Sequence, residues 1–143
     1  MATLRTYTGS NGNHNFANSI GIYFTVASGY TLTVSDMGCF LPGGGPPIGP
    51  GITINVKLVN RAASTTILAS VTLDEGNPGT SESSPRLTTL SITPVVLPAG
   101  DYCVWAYGYG ATFQAYNSSQ PTPGTAPVTS TFGGAITLGN DFY

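Results

Sequence analysis

The stretch that most limits the fold is Pro94 to Gly110, PVVLPAGDYCVWAYGYG. Pro98 and Gly100 end one run and Asp101 opens the next. From Tyr102 to Tyr109 nearly every residue is aromatic, β-branched or small, the types that suit a pleated strand. Alternation puts Tyr102, Val104 and Ala106 on one face and Cys103, Trp105, Tyr107 and Tyr109 on the other. Neither face is polar. A strand with one wet face would show a polar side, so this one is expected to be covered on both. One cover is the domain's own core. The other is more of the chain or another molecule.

The remaining chain repeats the grammar of short strands and turns. Leu4 to Thr8 reads as a first strand, followed by the turn-rich loop Gly9 to Asn15. Ile20 to Val26 alternates, with Ile22, Phe24 and Val26 inward and Tyr23 and Thr25 outward. Tyr30 to Leu41 begins with Leu32 and Val34 inward. Ser35-Asp36 then breaks the alternation before Met37 and Cys39, which predicts a β-bulge that resets the face. Pro42 to Gly51 excludes helix and central strand. Ile52 to Val59 places Ile54, Val56 and Leu58 inward and Thr53, Asn55 and Lys57 outward. Thr66 to Leu73 sets Ile67, Ala69, Val71 and Leu73 on one face. Asp74 to Pro85 reads as a mobile polar loop. Arg86 to Ile92 is a strand, Pro94 to Leu97 a further piece, and Thr112 to Tyr116 a hairpin partner for the aromatic strand. Thr129 to Leu138 is a last, weaker strand.

No segment keeps helical periodicity over the ten or so residues a helix needs. The expectation is a single all-β domain over residues 1–143, a two-sheet antiparallel β-sandwich, jelly-roll-like, with about eight or nine strands.

Charge narrows the function classes. The chain carries 4 Lys and Arg against 6 Asp and Glu. Arg5, Lys57, Arg61 and Arg86 are too few and too scattered for the basic stripe that nucleic acid or an anionic membrane requires. No apolar run is long enough to insert into a bilayer. Met1 to Tyr7 is polar, without an apolar signal-peptide core behind it; with an excised secreted domain folding in a reducing cytoplasm is not expected, and with Met1 as the natural start it is. Cys39 and Cys103 are then expected as free buried thiols rather than a disulfide.

A resemblance rests on Gly21 to Val26 (GIYFTV), Leu32 to Gly38, Val56-Lys57-Leu58, Thr66 to Val71 and Pro94 to Tyr102 (PVVLPAGDY), in that order. The chain resembles the small β-sandwich domains of bacterial surface proteins, including those sorted by exosortase. The likeness runs from about Gly21 to Tyr116 and implies a sandwich fold. It departs from the pattern in lacking a secretion signal and a C-terminal anchor.

Catalytic chemistry finds little to use. His14 is the one histidine and sits in an Asn/Gly loop, read as solvated. Asp36, Asp74, Glu75, Glu82, Asp101 and Asp141 form no paired or metal-ligating pattern and read as turn and loop residues. Gly43-Gly44-Gly45 lacks the Lys-Ser/Thr and the helix of a phosphate loop. No catalytic residue, metal or cofactor is expected. The aromatics are the functional signal. Trp105, Tyr107, Tyr109 and Tyr116, with Tyr102 and Tyr23, can fill a core, anchor a protein interface or stack on sugar rings.

An all-β, charge-poor chain that folds in the cytoplasm fits a virion protein that leaves its host by lysis. The leading expectation is a non-catalytic bacteriophage structural component (capsid decoration, fibre or tail-associated) that meets other virion or surface proteins and copies of itself. The alternative is a carbohydrate-binding module of an extracellular or cell-surface protein, with a glycan as partner. Neither involves nucleic acid or membrane insertion.

Overall fold

The computed structural model describes residues 19–40, 48–81, 87–110 and 134–142. The elements are β1 (Ile20–Val26), β2 (Leu32–Phe40), β3 (Thr53–Asn60), β4 (Ala63–Asp74), β5 (Thr80–Ser81), β6 (Leu87–Leu97), β7 (Gly100–Tyr107) and β8 (Ile136–Phe142). They form two antiparallel sheets, one of five strands ordered β4-β3-β7-β1-β8 and one ordered β2-β6-β5. The all-β, two-sheet expectation holds. Seven of the strands have seven residues or more; β5 has two. There is no helix among the described residues, and so none long and apolar enough to cross a membrane.

The aromatic strand is the centre of the larger sheet. β7 pairs with β1 along Gly100 to Ala106 and with β3 along Tyr102 to Tyr107. Both of its edges are therefore taken from Tyr102 to Ala106; a hairpin partner was expected in Thr112 to Tyr116. That segment and Leu4 to Thr8 lie outside the described residues.

Alternation was a sound guide where strands are regular. Ile54, Val56 and Leu58 are fully buried on β3, and Phe24 and Val26 are buried on β1. On β2, Leu32 and Val34 pack partly against the core and Met37 and Cys39 are buried in it. The face resets at Ser35-Asp36 as predicted, where the β2–β6 register shifts. The same shift lets β6 run unbroken through Pro94, which merges the two expected pieces. Val34 faces Val95 and Asp36 faces Ser91, so Ile92, Thr93 and Pro94 oppose Ser35 alone. A proline without a ladder partner forfeits no hydrogen bond.

Three expectations need correction. Ile67 is not inward but half exposed (50%). Ala69 opposes Leu58 and Ile67 opposes Val59, so Leu68 is an extra residue that takes Ile67's place against the core. The loop expected from Asp74 to Pro85 contains β5, which extends the smaller sheet by pairing Thr80 with Thr89. The final strand starts at Ile136 and continues to Phe142, beyond the expected end at Leu138.

One buried cluster draws on both sheets: Phe24, Val26, Ile54, Val56, Leu58, Leu73, Tyr102, Ala106 and Ile136 from the larger, Met37, Cys39 and Leu97 from the smaller. Each such large side chain contributes about 1.5–3 kcal/mol by leaving water. Polar atoms within or beside it are paired. The Tyr102 hydroxyl donates to the Pro98 carbonyl at 2.9 Å, pinning the turn where the chain passes from β6 to β7. The buried Thr88 hydroxyl donates to the Pro78 carbonyl at 2.8 Å.

Candidate functional site

The outer face of the five-stranded sheet is built by the odd-numbered residues of β7. Asp101, Cys103, Trp105 and Tyr107 point away from the side that carries Tyr102, Val104 and Ala106 into the core. Register brings β1 alongside, with Thr25 opposite Asp101, Tyr23 opposite Cys103 and Gly21 opposite Trp105. On the other flank β3 sets Val59 against Cys103, Lys57 against Trp105 and Asn55 against Tyr107.

Two aromatic groups result, each roofed by a cation. Trp105 and Tyr107 stack with ring centroids 4.9 Å apart and planes at 29°. The Lys57 ammonium lies 4.8 Å from the Tyr107 centroid and 5.6 Å from that of Trp105. The Arg61 guanidinium lies 4.3 Å from the centroid of Tyr23. Contacts of this kind are worth about 0.5–1 kcal/mol at exposed sites. Trp105, Tyr107, Tyr23 and Lys57 are half-buried and Arg61 is exposed. The turn that presents Arg61 is fixed by its own N–H, which donates to the Asp101 carbonyl at 2.9 Å. The Ala62 N–H donates to the Asn60 side-chain oxygen at 2.9 Å. Beneath the cations, Cys103 and Val59 are buried side by side. Burial raises the Cys103 thiol to about 11, with Arg61 pulling the other way.

Two pairs of neighbouring polar groups on this face are bonded to each other. The Thr25 hydroxyl donates to the Asp101 carboxylate. The Thr72 hydroxyl donates to the Asn55 side-chain oxygen at 3.0 Å.

Of the expected site residues, Trp105 and Tyr107 come together on this face. Tyr109 does not join them. Gly108 breaks the alternation with φ +106, and a Cβ there would strike the Thr53 carbonyl. The chain turns at Gly108 and Tyr109 enters the core cluster, 4% exposed. There it meets Cys39 in a side-chain hydrogen bond, while burial drives Cys39 up to about 12 and Tyr109 well above its ordinary value. Tyr116 lies outside the described residues, as does His14. Cys39 and Cys103 are both free and buried, on opposite sides of the larger sheet. Lys57 and Arg61 were not singled out from sequence. Lys57 was readable as outward on its strand, but that β3 lies beside β7 is a matter of topology. Among the described residues no three of His, Cys, Asp or Glu cluster to hold a metal.

The smaller sheet turns a different surface outward. The Asp36 carboxylate accepts from the Ser35 hydroxyl at 2.6 Å and from the Ser91 hydroxyl at 2.8 Å. These bonds, Ser35 first, hold Asp36 below the ordinary carboxylate value. Thr33 and Val96 face each other across β2 and β6, both exposed. Comparison with protein families, with curated proteins and with solved structures finds no match to the chain.

Proposed function

We propose that this is a non-catalytic structural and interaction protein whose working surface is the outer face of the five-stranded sheet. The observation that carries this reading is the stacked Trp105–Tyr107 pair, left half-buried on the outer face of the larger sheet. Half-covered aromatics flanked by cations are the residue types that anchor interfaces. The two sheets close on their shared cluster as a jelly-roll-like β-sandwich. In the fuller form of the proposal the chain is a bacteriophage virion component, made in the host cytoplasm and present in many copies. Tyr23, Trp105 and Tyr107 are then covered by other virion proteins or by copies of the chain.

Sedimentation velocity across a wide concentration range, with and without phage particles, tests this. The wild type is expected to self-associate or to travel with particles, and Trp105→Ala to do neither. A wild type that stays monomeric and free of particles contradicts it.

A second reading has an observation of its own. Trp105 has Gly21 as its register partner on β1, so no side chain from that position crowds the indole. A stacked aromatic pair beside a glycine suits a sugar ring, the reading of a carbohydrate-binding module.

A further inference from the structure

We infer that the outer face of the five-stranded sheet takes a carboxylate-bearing saccharide, with the sugar seated at Trp105 and Tyr107 and its acid group at Lys57 and Arg61. This rests on the carbohydrate reading above and names the ligand class.

Lys57 and Arg61 are the two cations among the described residues, and both lie on this one face. Among the described residues neither is ion-paired with a carboxylate, the outer-face Asp101 included; both sit over aromatic rings. Three aspartates are engaged by neutral donors instead. Asp36 accepts from Ser35 and Ser91 on the other sheet. Asp74 accepts the Asn77 N–H at 2.8 Å in its own turn. Asp101 accepts from Thr25. Among the described residues, both cations therefore lie beside the half-buried aromatic surface and make ring contacts rather than ion pairs.

A ligand that completes this arrangement offers two things. It brings a flat C–H face to stack on the rings, and a carboxylate to replace ring contacts with charge-assisted hydrogen bonds. An acidic sugar has both. A neutral sugar leaves the cations unanswered. A nucleic acid asks for a longer run of cations than two. An acidic peptide answers the charge but gives the rings no planar apolar partner.

The test uses the intact chain in affinity electrophoresis against polygalacturonate, alginate, hyaluronate and polysialic acid. Fully methyl-esterified polygalacturonate serves as the charge-capped twin, with neutral glucan, mannan and galactan gels and polyglutamate as further controls. At least one acidic polymer is expected to retard the wild type, about tenfold more strongly than a charge-capped or neutral one. That preference should fall to near unity in Lys57→Gln/Arg61→Gln and at 0.5 M salt. Trp105→Ala should abolish retardation by all saccharides. Circular dichroism checks each variant's fold, and Tyr107→Leu replaces Trp105→Ala if the latter unfolds. Equal retardation by acidic and neutral saccharides overturns this inference and leaves the carbohydrate reading standing. No retardation by any saccharide overturns both. Retardation by polyglutamate equal to that by the best polyuronate, and insensitive to Trp105→Ala, overturns the inference in favour of an acidic peptide.

Discussion

The two outer faces of this molecule answer the same problem, a solvated sheet surface, in different ways. On the smaller sheet, Asp36 is the charge and two serine hydroxyls close on it. Each of its oxygens accepts one hydrogen bond from a short side chain that loses little entropy on being ordered. On the larger sheet, Lys57 and Arg61 spread long side chains across Trp105, Tyr107 and Tyr23. Those contacts shield rings from water, but each is worth little and each can be exchanged. The first face is satisfied from within. The second is held in a state that a partner can improve upon, and this difference is why the larger sheet is proposed as the working surface.

The strongest way to break the comparison is at Gly108, the residue that separates Tyr107 on the outer face from Tyr109 in the core. Gly108→Ala forces a side chain onto positive φ and against the Thr53 carbonyl. A loss of about 3 kcal/mol is expected from strain and overpacking together, read from the urea midpoint. Gly110→Ala, where a Cβ meets nothing within 4 Å, is the control and should shift stability by no more than about 0.5 kcal/mol.

The next effect is smaller in stability and larger in function. Trp105→Ala removes a half-buried ring and its stacking on Tyr107, for about 1–2 kcal/mol. It should abolish association all the same. Val96→Ala on the opposite face exchanges one exposed side chain for another, and both stability and association should be unchanged within error. Equal loss of association from the two would erase the distinction between the faces.

Thiol chemistry sharpens the same contrast. Burial raises Cys39 to about 12 and Cys103 to about 11, so iodoacetamide at pH 8 should label both slowly. Cys103, under Arg61 on the outer side, should react before Cys39 in the core. Because both folded values stand above the unfolded one, their contribution to stability is complete below pH about 9. It is lost as the pH climbs toward the folded values. An earlier reaction at Cys39 would contradict the placement of the two thiols.

The smallest effect concerns Asp36. Its folded value is lowered by Ser35 and Ser91, so its contribution is present above the ordinary carboxylate range and fades as the pH falls through the lowered folded value. Wild type and Asp36→Asn should differ slightly in urea midpoint at pH 6 and converge toward pH 2. A gap that widens in acid would reverse the sign.

Much of the framework was legible because period-two alternation is a local signal. Ile54, Val56 and Leu58 announced the inner face of β3, and Ser35-Asp36 announced its own irregularity. What escaped was set by register between distant strands. The extra residue at Leu68 moves Ile67 outward, and nothing within Thr66 to Leu73 distinguishes it from a regular strand. Tyr109 looked like the next member of the Cys103, Trp105, Tyr107 row, and only the backbone turn at Gly108 removes it. Lys57 and Arg61 belong to the site because β3 lies beside β7, a pairing across more than forty residues of chain. Trp105 and Tyr107 were found because aromatic character on both faces of a strand is visible in sequence alone.

The most direct test of the central claim uses the chain's one tryptophan, which lies on the face in question. Acrylamide quenching of Trp105 is measured in the isolated chain, at high concentration, with phage particles and with each acidic polymer. Appreciable quenching is expected in the dilute isolated chain, and a blue-shifted, several-fold less quenchable emission in at least one of the other conditions. Quenching and emission that remain the same under all of them would contradict it.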